Sequence, residues 1–445
     1  MKSRVSGRRI IVCTSVMSAF QKGIQKGSLG FFNVTLRIVI LTAVLCGVLY
    51  FGLPLLLKTS YRAPALSTAV LGTAAVEALP PKVVHLATPK AQKIIYMTSC
   101  VAGTPSFRKD LVKLVEDTEL NGIIIDIKDF SGTLSFYPKA EALKKFVSDR
   151  CRAPDMEAFI KTLHEKGIYV IGRITVFQDP FFSKERPDLA VKKASDGTTW
   201  KDNKGISYMD PGAEEVWDHI VAIAKESYAI GFDELNFDYI RFPSDGPMSD
   251  IAFPLSGKRK KADVLEDFFV YLSAKLKPVG IVMSADLFGM TTTNTDDLNI
   301  GQVLERAAPH FDFIAPMVYP SHYPPNFNGW PNPNKEVYGV IKFSMDTAVK
   351  RFLATTTVVA LQGIEPIAST TPPLYPKKAW HPEKLRPWLQ DFDYGGNYDA
   401  AEVKAQIQAT YDAGLTSWML WAPSNRYTKG ALLPEKTSTT TEEGR

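Results

Sequence analysis

The chain has 445 residues, 45% of them hydrophobic and 22% charged, which is typical of a folded protein with a sizeable core. Its formal net charge is +5, and seven basic residues precede Ile38, so the rest of the chain is close to neutral. A near-neutral body argues against nucleic-acid binding, and we expect no nucleic-acid partner.

The N-terminal region has the pattern of a membrane anchor. Residues 1–37 contain no acidic side chain, and the twenty residues from Ile38 to Leu57 carry no charge. Such a run spans a bilayer as a helix, and the basic residues before it keep the N-terminus in the cytoplasm. The sequence predicts a cytoplasmic leader (1–37) and a transmembrane signal anchor (38–57) that places the rest outside the cell membrane. A cleaved signal peptide is disfavoured by the long leader and by the lack of a small-residue cleavage site directly after the run.

The regions on either side of the main domain lack a clear structural period. Residues 58–91 are rich in Ala, Pro, Thr and Val and are predicted to be a linker. The tail 426–445 is predicted to be disordered, because its last residues are mainly Thr and Glu. Two cysteines, Cys100 and Cys151, lie on the predicted exported side, where they either pair or stay reduced and buried.

The domain 92–425 alternates short apolar runs with segments whose apolar residues recur every three or four positions. The predicted helices include Gly212–Ala229, Lys261–Lys277, Val337–Phe352 and Ala400–Ala413. The predicted strands are Lys93–Ser99, Gly122–Lys128, Tyr169–Phe177, Phe232–Ile240, Ile281–Leu287, Phe311–Tyr319, Thr357–Gly363 and Thr416–Ala422. Eight strands alternating with helices predict an α/β fold, the (β/α)₈ TIM barrel.

The absence of several motifs narrows the alternatives. An open doubly wound sheet would usually carry a Gly-rich phosphate turn after an early strand, and none is present. No cluster of His, Cys and Asp has metal-ligand spacing, and no Ser occupies a Gly-x-Ser-x-Gly elbow. We therefore expect no metal and no cofactor.

The fourth predicted strand carries the most informative residues. Strand periodicity puts Glu234, Asn236 and Asp238 on one face, which in a barrel points inward. Buried carboxylates are costly unless they are paired or used in chemistry. Asp238 is followed closely by Arg241, so the structural interpretation is an ion pair between these two residues at the end of the strand.

Barrel active sites form at the C-terminal ends of the strands. Asp238 and Asp286 end adjacent strands, and a carboxyl pair is what cleavage of a glycosidic bond requires. Sugar rings stack on aromatic side chains, while sugar hydroxyls bond to polar ones. The predicted substrate-binding residues at the strand ends are Asp126, Lys128, Arg173, Asn236, Arg241, Tyr319, His322, Tyr323, Gln362 and Trp421.

Structural interpretations of these residues stay open at this point. They are a strand-end cap for Asp286, filling of the barrel mouth for Trp421 and Tyr319, an ion pair for Arg173, a solvated loop position for His322 and neutralisation of nearby acids for Lys128.

Four motifs resemble a known family. They are Gly122–Asp129 followed by Gly132, Tyr208–Pro211, Asn236–Pro243 and Pro316–Pro320. Over roughly Lys93 to Asn425 the chain resembles the bacterial glycosyl hydrolase domain of the TIM-barrel glycosidase superfamily that was long catalogued as a domain of unknown function. The resemblance implies a TIM barrel and hydrolysis of glycosidic bonds.

Two weaker resemblances bear on the roles of the acids. In chitinase-like barrels the fourth strand ends in alternating acids closed by a Glu, and Ile240 stands at that position here. This departure argues against a substrate-assisted mechanism run from strand four alone. The strand-four Asp near an Arg also looks like the alpha-amylase-type barrels, which implies that Asp238 is the nucleophile and Asp286 the acid.

The sequence thus predicts a membrane-anchored glycoside hydrolase that cleaves a cell-wall or extracellular polysaccharide. A carbohydrate-binding barrel without catalysis is one alternative. A polysaccharide lyase or transferase on the same fold is another, because a fold does not fix its chemistry.

Overall fold

A computed structural model describes residues 83–368 and 370–435. Its eight parallel strands close into a barrel, in which each strand pairs with the next along the chain and the last pairs with the first. The strands are β1 (Lys93–Met97), β2 (Gly122–Lys128), β3 (Tyr169–Thr175), β4 (Glu234–Asp238), β5 (Val282–Phe288), β6 (Phe313–Met317), β7 (Trp388–Gln390) and β8 (Trp418–Trp421). The prediction of a closed (β/α)₈ barrel is confirmed.

Helices connect the strands and cover the outside of the barrel. The helices are α1 (Ser99–Ala102), α2 (Pro105–Glu116), α3 (Met156–Glu165), α4 (Pro180–Glu185), α5 (Glu214–Ala229), α6 (Lys261–Leu276), α7 (Leu304–Ala307), α8 (Val337–Leu353) and α9 (Ala400–Asp412). The four helices predicted from periodicity are α5, α6, α8 and α9, and each lies within two residues of its expected ends.

The alternation of side chains along the strands produces two separate cores. Outward residues such as Ile123 and Leu235 pack against helices in a large apolar layer. Inward residues such as Ile124, Ile171 and Met419 form a second cluster inside the barrel. The inner cluster fills the barrel, so a ligand has access only at the ends of the strands.

The seventh strand is not where the sequence predicted it. The run Thr357–Gly363 contributes only to a two-residue antiparallel pair, Thr356–Thr357 with Tyr375–Pro376, and the barrel strand is instead Trp388–Gln390. The true strand has three residues, follows Pro387 and is too short to show a period. The β-branched run before it is locally more strand-like, and it misled the prediction.

The predicted linker and tail both extend into the described barrel unit. Leu86 donates its backbone N–H to Asp233 at 2.6 Å, and Thr88 bonds to the Tyr169 hydroxyl at 3.0 Å. At the other end, the first part of the predicted disordered tail is ordered: Tyr427 is partly buried and donates to the Tyr96 carbonyl of β1, and Leu432 is 7% exposed. Apolar side chains anchor both segments.

The predicted leader (1–37) and anchor (38–57) and the last ten residues lie outside the described residues. In the part of the chain that the structure does describe, no helix has the length and apolar character needed to cross a membrane. Cys100 and Cys151, whose pairing the sequence left open, are joined by a disulfide.

Candidate active site

Strand β4 points three polar side chains into the barrel, as its alternation predicted. Glu234, Asn236 and Asp238 are all buried. Glu234 lies at the N-terminal end, where Arg386 is its ion-pair partner and both side chains have no exposed surface. Asn236 and Asp238 lie progressively closer to the C-terminal mouth. Asp238 is therefore the acid of β4 that reaches the mouth, and Arg386 is not its partner.

Arg173 links the acids of three strands. Its Nη1 donates to Asp126 at 2.6 Å, its Nη2 donates to Asp238, and its Nε lies 3.8 Å from Oδ2 of Asp286. Arg173 is only 5% exposed. A single guanidinium group therefore holds three carboxyl groups together beneath the mouth of the barrel.

Asp286 occupies the position beside Asp238 on the neighbouring strand, since Phe237 and Ala285, one residue earlier in each, are paired. Its Oδ1 accepts hydrogen bonds from Asn236 and from the Trp388 indole, both at 2.8 Å. Burial, followed by the charge of Asp238, raises the pKa of Asp286 to about 8. Both effects favour the protonated form of Asp286.

Asp238 is also buried, but its environment is different. One oxygen accepts from Arg173, and the other accepts from the backbone N–H of Tyr239 at 2.5 Å. Two donors thus converge on Asp238, one of them the charged guanidinium group of Arg173. The interpretation of Asp238 and Arg241 as an ion pair was wrong. Among the described residues Arg241 makes no ion pair with Asp238, because its side chain turns toward Phe242 and Ser244.

A cavity of about 330 Å³ opens above these groups. It is lined by ionisable groups of β3, β4 and β5 and by aromatic rings that lie on β7 and β8 or follow β6. The predicted residues that line it are Arg173, Asp238, Arg241, Asp286, Tyr319, His322, Tyr323 and Trp421. The structure thus brings eight of the twelve predicted site residues together around one cavity.

Trp421 forms the aromatic wall of this cavity. Its ring stacks on Tyr96 with centroids 3.9 Å apart and meets Trp388 edge-on at 5.4 Å. The Arg173 guanidinium lies 5.0 Å from the Trp421 ring centroid. Trp421 is only partly buried, whereas Trp388 and Trp418 have no exposed surface, so one ring combines a packed side with a surface open to a ligand.

The residues that follow β6 contribute unequally. Tyr319 and His322 lie with their rings 5.3 Å apart and edge-on at the cavity wall. Burial, with a smaller effect of Lys204, lowers the pKa of His322. Tyr323 bonds to Ser344 on α8 at 3.0 Å and is 6% exposed, so much of its ring serves packing between the barrel and that helix.

Asp126 and Lys128 lie outside the cavity lining. Asp126 sits behind Arg173 and also accepts from the Tyr96 hydroxyl; burial, opposed by Arg173, raises its pKa to about 6. Lys128 was predicted to bind substrate, but it has no exposed surface and pairs with Asp179 at 2.8 Å. The pairing between β2 and β3 shifts between Asp126 and Lys128, and this irregularity separates the two side chains.

Asn236 and Gln362 are also absent from the cavity lining. Asn236 bonds to Ser284 and Asp286, so it orients the acid. Gln362 is exposed on a turn, and its amide lies 3.5 Å from Asp267. Its assignment to the site was wrong because it depended on the misplaced seventh strand, whose true end is Gln390.

Sequence reasoning missed the residues that complete the site. Trp388 was not considered because its strand is so short. Tyr239 has a positive φ of 53°, a conformation uncommon for a side chain of this size, which turns the chain directly after Asp238. The aromatic residues Phe288 and Tyr96, close to the ends of β5 and β1, were visible as strand-end signals and could have been found.

In the described ranges, 83–368 and 370–435, no three His, Cys, Asp or Glu side chains are arranged to hold a metal ion. The groups that the chain itself supplies to the site are two neighbouring carboxyl groups in different environments, two guanidinium groups and several aromatic rings.

Several solved structures are similar to this chain. The glycoside hydrolase domain of PgaB (BpsB) from Bordetella bronchiseptica is 14% identical, with a TM-score of 0.50, over 75% of this chain and 94% of its own. A hypothetical protein from Ruminiclostridium thermocellum is 32% identical over 46% of this chain and 98% of its own, with a TM-score of 0.39. An alpha-galactosidase from Thermus thermophilus is 12% identical over 76% of this chain and 59% of its own, with a TM-score of 0.44.

No curated protein matches the chain. The family described as "Putative glycosyl hydrolase domain" matches residues 94–427, which is most of the chain and the whole barrel. The chain belongs to this family of glycosyl hydrolase domains.

Proposed function

We propose that the protein is a glycoside hydrolase in which Asp286 is the general acid and Asp238 the nucleophile or charge-stabilising carboxylate. The observation that carries the proposal is the contrast between these neighbours: burial and the charge of Asp238 raise the pKa of Asp286 to about 8, while Asp238 is held by Arg173 and a backbone amide. Two carboxyl groups in different environments can take different roles in one reaction.

The proposed reaction follows from the placement of the two groups. Asp286 donates its proton to the oxygen of the departing sugar, so the glycosidic bond breaks without release of an alkoxide. Asp238 stabilises the positive charge that develops on the sugar ring, or bonds to the sugar carbon as the nucleophile. Water then attacks the same carbon: its hydroxyl group stays on the sugar, its other proton returns to Asp286, and any bond to Asp238 breaks. Arg173 holds both carboxyl groups in register, and Trp421 supplies a flat apolar surface beside them.

Turnover is tested by incubating the full chain, in detergent, with a panel of cell-wall and extracellular polysaccharides and measuring new reducing ends. We expect at least one polymer to be cleaved, and Asp238→Asn to abolish cleavage while it retains binding. Binding without cleavage by the wild type across the panel would favour the non-catalytic alternative. New unsaturated ends, formed by elimination with no water incorporated into the products, would identify a lyase. Transfer of a sugar unit to an added sugar acceptor would identify a transferase.

We further propose that the barrel works outside the cell membrane on a signal anchor formed by residues 38–57. The uncharged run and the basic leader support this topology, and a disulfide between Cys100 and Cys151 is of the kind that persists in oxidising compartments. Protease added to intact spheroplasts should degrade the barrel and spare the leader. Protection of the barrel until lysis would contradict the topology.

A further inference from the structure

Arg241 presents an open guanidinium edge at the wall of the cavity. Its Nη1 donates to the Phe242 carbonyl at 3.1 Å and to the Ser244 hydroxyl at 3.2 Å. Its Nε and Nη2 donate to no acceptor in the described ranges of the chain, yet neither is enclosed by protein atoms. Three of the five N–H groups of Arg241, a cavity-lining residue that is only 7% exposed, therefore have no acceptor among the described residues.

The guanidinium plane is held in position by aromatic rings. Its central carbon lies 5.0 Å from the centroid of Tyr239 and 4.8 Å from that of Phe288. The left-handed backbone of Tyr239 brings that ring next to Arg241. A guanidinium group fixed in this way loses little freedom when a planar anion binds to its edge.

No carboxylate neutralises Arg241 within the described part of the chain. Asp238 is engaged by Arg173, and neither Asp202 nor Asp245 approaches within ion-pair distance. Asp202 directs Oδ1 to the backbone amides of Lys204 and Ile206, and Asp245 is exposed on a loop. A buried charge normally has a partner, so the missing partner of Arg241 is expected in the ligand.

A second cavity, of about 530 Å³, adjoins the first at Arg241. The two share Tyr239, Arg241 and Trp421 as a common wall, so a chain of sugars can continue from the acids past Arg241. The far side offers the exposed ring of Phe130, which is 59% exposed, and Lys204, which makes no ion pair among the described residues. This second opening suits a polymer.

We propose that the glycan bound by the barrel is acidic, and that Arg241 binds the carboxylate of a uronic acid unit lying at the junction of the two cavities. The inference rests on the proposed function only in that the cavity binds a carbohydrate, and it does not require cleavage. Two N–H groups on one edge of a guanidinium match the two oxygens of a carboxylate, which is why this pairing gives both affinity and orientation.

The test compares ligands that differ only in this charge. Oligouronides of several types, and the same oligomers after reduction of their carboxyl groups to alcohols, are titrated calorimetrically into the full chain carrying Asp238→Asn, so that no cleavage occurs. We expect at least one acidic oligomer to bind ten-fold or more tightly than its reduced partner. Added salt should weaken only the acidic one. Equal affinity within every pair, or binding of neither member, would overturn the proposal.

Variants assign the effect to Arg241. Arg241→Gln should abolish the preference, so that the acidic and the reduced member bind with equal affinity. Arg241→Lys should restore only part of the preference, because an ammonium group is not a planar fork. Arg186→Gln, at an exposed Arg paired with Asp188, is the matched control and should keep the preference. If Arg241→Gln does not fold, the comparison of ligands on the parent still decides.

Two further outcomes separate this inference from the hydrolase proposal. If acidic oligomers bind preferentially but the wild-type protein cleaves none of them, the acidic site is supported and hydrolysis is contradicted. If the wild-type protein cleaves only neutral polymers, hydrolysis is supported and the acidic site is contradicted. The third ligand is an oligomer without carboxyl groups that carries sulfate esters. If it binds more tightly than every uronide, the site recognises sulfate, and the proposal of a carboxylate ligand is wrong.

Discussion

The indole Nε1 of Trp388 donates to Oδ1 of Asp286 across 2.8 Å, deep in the mouth of the barrel. Asn236 donates to the same oxygen, so both hydrogen bonds that Asp286 accepts fall on Oδ1. The proton of the neutral carboxyl group is therefore left for Oδ2. Trp388 and Asn236 together determine from which oxygen Asp286 can donate a proton.

Asp286→Asn should lower turnover at least ~100-fold, the lower range for loss of a general acid. Because the pKa of Asp286 is raised to about 8, wild-type kcat/KM should fall as the pH rises through that value and the carboxyl group loses its proton. The measurement is a pH profile of kcat/KM on the best substrate of the polysaccharide panel. An unchanged rate in the variant would remove Asp286 from the mechanism.

Trp388→Phe should move the alkaline limb of that profile to higher pH. The indole hydrogen bond favours ionised Asp286, so its removal raises the pKa of the acid further while a ring still fills the space. Trp418→Phe is the control, because Trp418 packs on the outside of β8, where its Nε1 bonds to Tyr411 at 3.0 Å. A limb that shifts equally in both variants, or in neither, would contradict this role for Trp388.

The protonated state of Asp286 should also be visible in folding stability. Its pKa is raised in the folded state, so between about pH 4 and about pH 8 the folded protein binds a proton that the unfolded chain releases, and this contribution to stability is lost as the pH rises. Relative to wild type, Asp286→Asn should gain up to ~1.4 kcal/mol of unfolding free energy per pH unit across that window. Urea unfolding of both proteins at pH 5.5 and 7.5 measures the difference, and a constant difference would show that Asp286 is ionised throughout.

Much of the fold could be predicted because its signals are local. Strand β2 was predicted with its observed ends, since its sequence GIIIDIK is a short run rich in Ile that begins at a Gly. The inward face of β4 followed from simple alternation. The strand of Trp388 carried no such signal, because it is three residues long and is defined by its neighbours in the barrel, not by its own sequence.

The partners of charged groups were the least predictable part of the site. Asp238 and Arg241 are three positions apart, which suggested a pair, but the ion pair forms with Arg173 on the adjacent strand. Simple alternation along β2 likewise put Lys128 on the same face as Asp126, but the pairing of β2 with β3 shifts between these two residues and separates their side chains. Both outcomes depend on how neighbouring strands are aligned, and a single sequence does not contain that alignment.

Removal of the predicted anchor should yield a folded barrel that needs no detergent, provided the fragment keeps residues 83–91. A fragment that begins at Gln92 loses the bond from Leu86 to Asp233, the bond from Thr88 to Tyr169 and the stacking of His85 on Tyr228. At about 1 kcal/mol for each hydrogen bond, it should be less stable than a fragment that begins at Val83 by roughly 1–3 kcal/mol. Equal urea midpoints for the two fragments would show that residues 83–91 add nothing to the barrel.

Trp421→Ala should weaken substrate binding more than it weakens folding. The Trp421 ring stacks on Tyr96 but remains partly exposed and borders both cavities, so its removal takes away surface that a sugar would cover. Trp418 is fully buried three positions earlier on the same strand, and Trp418→Ala should cost roughly 3–5 kcal/mol of unfolding free energy. Thermal melts and calorimetric titration of both variants separate the roles. If Trp421→Ala melts as low as Trp418→Ala while its folded fraction binds sugar with wild-type affinity, Trp421 is a packing residue and the ligand does not stack there; a near-native melt with a raised Kd would assign the sugar to the C-terminal mouth.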